Sequence, residues 1–161
     1  MKNITATFIN KTRLLAVLTV TCFALGFTGA QAGDANSNDD RAILISWNLM
    51  FTSNTTAAGT STIAGAFADE GTRDEKFTVN VQGDHAIVTG TIVIHATQGD
   101  LTEQFVGTIP LGPNPTQIEG SGMFTGGTGA YAGVTGRATF EGTINFATGK
   151  LVGVTEGKVR R

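Results

Sequence analysis

From residue 41 onward, large apolar side chains fall on every second position in one segment after another. Ile43, Ile45, Trp47, Leu49 and Phe51 share one phase; so do Phe77, Val79 and Val81; so do Ala138, Phe140, Gly142, Ile144 and Phe146. The opposite phase is mostly Thr, Asn, Glu, Gln and Lys. Successive side chains of an extended chain point to opposite sides, so a period of two means strands with one apolar face each. The pattern predicts eight strands, at 42 to 51, 60 to 68, 75 to 81, 85 to 97, 101 to 109, 117 to 125, 136 to 146 and 150 to 159, and no sustained helix.

The connections carry the residues that tight reversals need: Asn54 to Gly59, Gln82-Gly83-Asp84, Gln98-Gly99-Asp100, Pro110 to Pro115 and Ala147-Thr148-Gly149. Neighbours in sequence are therefore expected to be antiparallel neighbours in space. One apolar face repeated eight times fits a closed barrel or a two-sheet sandwich. Glycine inside the strands, at Gly65, Gly90, Gly107, Gly120, Gly122, Gly142 and Gly153, favours the barrel, because a tightly coiled sheet needs room to bend. Gly-Thr-Ile recurs at 90 to 92, 107 to 109 and 142 to 144, spacings close to one and two hairpin lengths. The expected fold is all-β: a single eight-stranded antiparallel barrel over residues 42 to 161.

What precedes the barrel reads as an export signal. Lys2, Lys11 and Arg13 form a basic start, Leu14 to Phe27 an apolar core, and Ala30-Gln31-Ala32 a small-x-small cleavage site, so residues 1 to 32 are expected to be removed. Residues 33 to 41, beginning GDANSNDD, read as a flexible spacer. The expected location is outside the cytoplasm, periplasmic or extracellular. Removing the signal takes away Cys22, the only cysteine, and leaves eight basic against thirteen acidic residues, a formal charge of −5. That balance argues against nucleic acid and against anionic membrane as partners, and no later run is long and apolar enough to span a bilayer as a helix.

Candidate chemistry is sparse. His85 and His95 lie on one expected strand, about 30 Å apart at about 3.3 Å per residue, so they cannot share a metal, and no metal site or cofactor is expected. Gly127 to Ala132 matches the outline of a dinucleotide fingerprint but is followed by a strand where a helix should hold the pyrophosphate. Ser121 lacks the first glycine of a nucleophile elbow.

Carboxylates remain. A three-residue turn at Ala147-Thr148-Gly149 would set Phe146 opposite Lys150, Ile144 opposite Val152 and Phe140 opposite Glu156, which turns Glu156 onto the apolar face. Glu103, in phase with Leu101 and Phe105, is the second candidate acid. A carboxyl facing an apolar lumen has its pKa raised by desolvation, as acid or base catalysts often do. Asp69-Glu70 and Asp74-Glu75, around Gly71-Thr72-Arg73, read as solvated loop charges.

The densest glycine cluster is Gly126-Gly127-Thr128-Gly129-Ala130-Tyr131-Ala132-Gly133-Val134-Thr135-Gly136. It reads as a compact crossover whose one large side chain, Tyr131, tucks against a sheet. With Ser121 to Thr125 before it, it resembles the G-G-[ST]-G-x-[YF]-x-G-x-x-G signature of the allene oxide cyclase and dirigent barrels, and of small exported bacterial proteins of calycin-like shape. The resemblance implies an eight-stranded antiparallel barrel around an apolar lumen, and a homo-oligomer is the assembly it allows, since the plant members are often trimeric.

Three functions stay open. The first is a barrel that binds a small apolar molecule, with contacts from Trp47, Phe77, Phe105, Tyr131 and Phe140. The second is a cofactor-free cyclase, isomerase or dirigent-like enzyme with Glu156 or Glu103 as proton handler. The third is a structural surface or matrix protein with a packed interior.

Overall fold

The computed structural model describes residues 40–112 and 114–161. The expected signal at 1 to 32, and the spacer up to residue 39, lie outside the described residues. Eight strands follow: β1 (Arg41–Ser53), β2 (Thr56–Gly65), β3 (Asp69–Gln82), β4 (His85–Ala96), β5 (Gly99–Pro110), β6 (Thr116–Gly127), β7 (Thr135–Asn145) and β8 (Lys150–Arg160). Each pairs antiparallel with its neighbours in sequence, and β8 pairs with β1, so the sheet closes into a barrel, the alternative that the in-strand glycines favour. A single 3-10 turn, Gly129–Tyr131, is the helical element among the described residues.

Two strands differ from the sequence pattern in a way that matters. β2 begins at Thr56, not 60, and β3 begins at Asp69, not 75. Asp69 to Glu75 is thus extended backbone paired with β2 and β4, not a charged loop. Its alternation is hidden because the inward positions 73 and 75 are an arginine and a glutamate.

The β7–β8 hairpin also corrects an expectation. Asn145, not Phe146, pairs with Lys150, and Ile144 faces Leu151. Asn145 Oδ1 accepts from the backbone N–H groups of Ala147 and Thr148, starting the turn one residue earlier than glycine placement alone suggests. A one-residue shift reverses every side chain of a strand. Leu151, Thr155 and Val159 therefore face inward, and Glu156, opposite Thr139 and Leu44, is exposed on the outer face. Phe146, expected on the inner face, sits half-exposed at the rim, stacked on Phe51 at 6.1 Å. Like-charge avoidance does not set the outer register here, since Glu119 lies directly across from Glu141.

The lumen is layered along the barrel axis. At one end Ile43, Ile63, Ile94, Leu101, Phe124, Tyr131 and Val134 form a closed apolar cluster. The glycine crossover seals that end. Thr128 N–H donates to Asp100 O and Ala130 N–H to Gln98 O, so the loop lies flat on the β4–β5 turn, where Gly129 takes φ 55° and a Cβ would strike Gln98 O. Tyr131 is fully buried, tilted against Phe67 at 4.8 Å, and its hydroxyl donates to Asp69 Oδ2 at 2.9 Å. Asp69 also accepts from the backbone N–H of Glu70, Thr97 and Gln98 and from the Thr97 hydroxyl, tying the start of β3 to the β4–β5 turn. Although what burial there is opposes its charge, these donors together hold its carboxyl well below the usual range.

The opposite end holds a second apolar cluster built on Leu49, Phe77, Val88, Ile109, Ile118, Ile144 and Leu151. The in-strand glycines serve these layers by leaving space for flat rings. Trp47 lies over Gly142 and Gly153, and Phe140 over Gly107 and Gly120. A Cβ at any of these four positions would meet the ring.

Candidate functional site

Between the two apolar clusters lies a polar layer. Arg73 and Glu75 enter from β3, Glu103 from β5, Ser61 from β2 and Thr155 from β8, and all five are buried. Local pairing places them together: Ser61 of β2 pairs with Trp47 on the β1 side and Gly59 with Arg73 on the β3 side, while Ile92 of β4 separates Glu75 from Glu103 in the ladder.

Arg73 Nη2 lies 2.6 Å from Glu75 Oε1, and Arg73 Nε donates to the same oxygen at 2.8 Å. The guanidinium also sits 5.2 Å from the centre of the Trp47 ring, whose Nε1–H donates to Thr155 Oγ1 at 3.2 Å. Arginine stays charged when buried, and an aromatic face plus a carboxylate are the two surroundings that offset its lost hydration.

Glu103 is 1 % exposed, and neither of its carboxyl oxygens has a partner among the described residues; Arg73 Nη1 and Ser61 Oγ are likewise without one. Its carboxyl lies against Gly122, where a Cβ would collide with it, close to where the β5–β6 register slips between Thr102 and Glu103. Burial pushes its pKa up to about 7, with Arg73 pulling down and Glu75 adding to the rise.

Toward the second end the lumen opens into a cup of about 410 Å³. Its wall is apolar, from Phe77, Val88, Phe105, Ile109, Ile118 and Leu151 among others, and Glu75 reaches it from the polar layer. Val79, Val81, Leu111 and Phe146 ring the mouth and are exposed, with Phe51 edge-on to Phe77 at 6.1 Å just inside. A larger hollow of about 530 Å³ on the outer face is bordered by Thr108, Thr139, Glu119, Glu141 and Glu156. Phe140 and Val154 add apolar surface to that groove, but the three carboxylates on its border make it a poorer match for an apolar molecule than the cup.

The structure thus sorts the residues singled out from sequence. Phe77 and Phe105 line the cup. Trp47 and Phe140 pack into the wall against glycines and do not line it, and Tyr131 belongs to the sealed end, far along the axis. Glu103 is inside the barrel as expected, whereas Glu156 is outside, which removes the geometric basis of its proposed proton-handling role. Arg73 and Glu75 were missed as lumen residues; the signal that could have found them is the phase they share with Phe77. Among the described residues no group of three or more His, Cys, Asp or Glu side chains is arranged to hold a metal ion. No family model, curated protein or solved structure matches the chain.

Proposed function

We propose that the protein is an exported β-barrel that binds a small apolar molecule in the cup at its open end. The observation that carries this reading is the asymmetry of the lumen: one end is packed solid beneath Tyr131, while the other keeps an apolar hollow of about 410 Å³ with an exposed apolar rim. A cavity of that size, walled by aliphatic and aromatic side chains with one polar group at its base, is what a small-molecule site requires. The packed half alone would suit a structural barrel; the cup has no packing role. The carboxyl of Glu103 does not line the cup, so a cyclase or isomerase would lack that acid at the bound molecule.

The same reading keeps the likeness of Ser121 to Gly136 to the allene oxide cyclase and dirigent barrels, supported by the closed eight-stranded sheet and by the crossover that seats Tyr131. With it go export through the signal at 1 to 32 and a homo-oligomeric assembly, both as proposals.

Titration with N-phenyl-1-naphthylamine, a neutral fluorophore that brightens in apolar surroundings, tests the binding reading. One saturable site per chain is expected, and Val88→Trp, which fills the cup from its wall, should remove it while the far-ultraviolet circular dichroism stays that of the barrel. Saturable binding undiminished in a folded Val88→Trp variant would place the site elsewhere.

A further inference from the structure

The cup's one charged lining residue among those described is Glu75, and its two oxygens are not equivalent. Oε1 accepts both Arg73 contacts. Oε2 has no partner among the described residues, yet it is not among the sealed, unpartnered polar atoms, which are Ser61 Oγ, Arg73 Nη1 and both oxygens of Glu103. It is therefore the acceptor that the cup exposes.

The charge count of the lumen says what should meet it. Facing one another inside the barrel are Arg73 and Glu75 from β3 and Glu103 from β5. The other strands turn Trp47, Ser61, Ile92, Gly122, Ala138 and Thr155 toward them. That is two carboxyl groups and one guanidinium. Arg73 spends Nε and Nη2 on Glu75, so among the described residues Glu103 feels its charge without a hydrogen bond to it, and Arg73 Nη1 has no acceptor.

Building on the cup as a binding site, we infer that its occupant is a lipophilic amine: a hydrocarbon body in the cup with a primary or secondary ammonium on Glu75 Oε2. A second cation there brings the lumen to two positive and two negative groups. Arg73, no longer the sole partner of Glu75, can then present its spare Nη1 to Glu103. A neutral alcohol would satisfy Oε2 but add no positive charge to balance Glu103 once it is ionised, and an anion would be repelled by Glu75. Proton balance follows: below about pH 7 the buried Glu103 carries a proton in the empty barrel, and a second cation nearby favours its loss to solvent.

Three probes with one naphthalene body separate this inference from the cup reading: 2-naphthylmethylamine, 2-naphthylmethanol and 2-ethylnaphthalene, measured by calorimetry on the mature protein. At pH 8 the amine should bind at least ~10-fold more tightly than the other two, as a buried charge-assisted contact allows. Glu75→Gln leaves Arg73 and Glu103 as a balanced pair, and should erase the amine's advantage while retaining the hydrocarbon's affinity. Should that variant fail to fold, Glu75→Asp, one methylene shorter, should reduce the advantage. At pH 6, runs in two buffers of different ionisation enthalpy should show net proton release on amine binding, and none in Glu103→Gln. Equal affinities for the three probes in the wild-type protein would overturn the amine inference and leave the cup standing. Failure of all three to bind would overturn the cup reading itself.

Discussion

Glu103 has the least compensated charge in the lumen, and its consequence is a pH-dependent stability. Its folded-state pKa is raised to about 7 from an ordinary 4.5, so between those values the folded chain holds a proton that the unfolded chain has lost. Stability therefore falls as pH rises through this window, by up to roughly 3 kcal/mol, and levels off above it. Glu103→Gln should flatten that dependence and melt at a higher temperature than wild type at pH 8, measured by thermal unfolding from pH 4.5 to 8. Parallel wild-type and variant curves would contradict it. Asp69 acts in the opposite sense: with its pKa held low, its contribution is complete at neutral pH and is lost only in acid, as pH falls below the ordinary carboxylate range. At this scale the sequence was half legible. Glu103 could be found because it keeps phase with Leu101 and Phe105. Arg73 and Glu75 keep phase with Phe77 just as well, but charged residues at inward positions look like a loop until the Arg73 contacts to Glu75 and Trp47 make burial tolerable.

Among the elements, strand existence was legible and strand register was not. Alternation located all eight strands, since each has one face that must leave water. Register depends on single hydrogen bonds at turns: the side chain of Asn145 begins the β7–β8 turn early and so sends Glu156 outward. The in-strand glycines were read as bending points, and the structure gives them a further duty as seats for aromatic rings. Gly153→Ala tests that duty. Its new Cβ would press on Cζ2 and Cη2 of Trp47 and on the backbone oxygen of Glu141, and overpacking of this kind costs about 1 to 3 kcal/mol. Trp47 is the chain's single tryptophan, so its fluorescence reports the displacement directly. A shifted emission maximum together with a lowered melting temperature is expected, and an unchanged spectrum and melting temperature would show that the ring does not rest there.

For the molecule as a whole, a closed sheet has no edges to offer other chains, and function is left to the two ends and the lumen. Alternation left a barrel and a sandwich open, and the in-strand glycines tipped the choice toward closure, which the pairing of β8 with β1 shows. The sequence could not say which end is open, because that depends on the glycine crossover folding back over the β4–β5 turn while Val79 and Val81 of β3 stay exposed at the opposite rim. The polarity of the barrel, sealed under Tyr131 and hollow beside Phe77, is the central claim. It can be tested by diffraction from crystals soaked in 1-bromonaphthalene, with the bromine located by its anomalous scattering. The account predicts one strong peak inside the cup, among Phe77, Phe105, Ile109 and Ile118. A peak confined to the outer groove beside Glu119, Glu141 and Glu156, or a cup found filled by its own side chains, would contradict it.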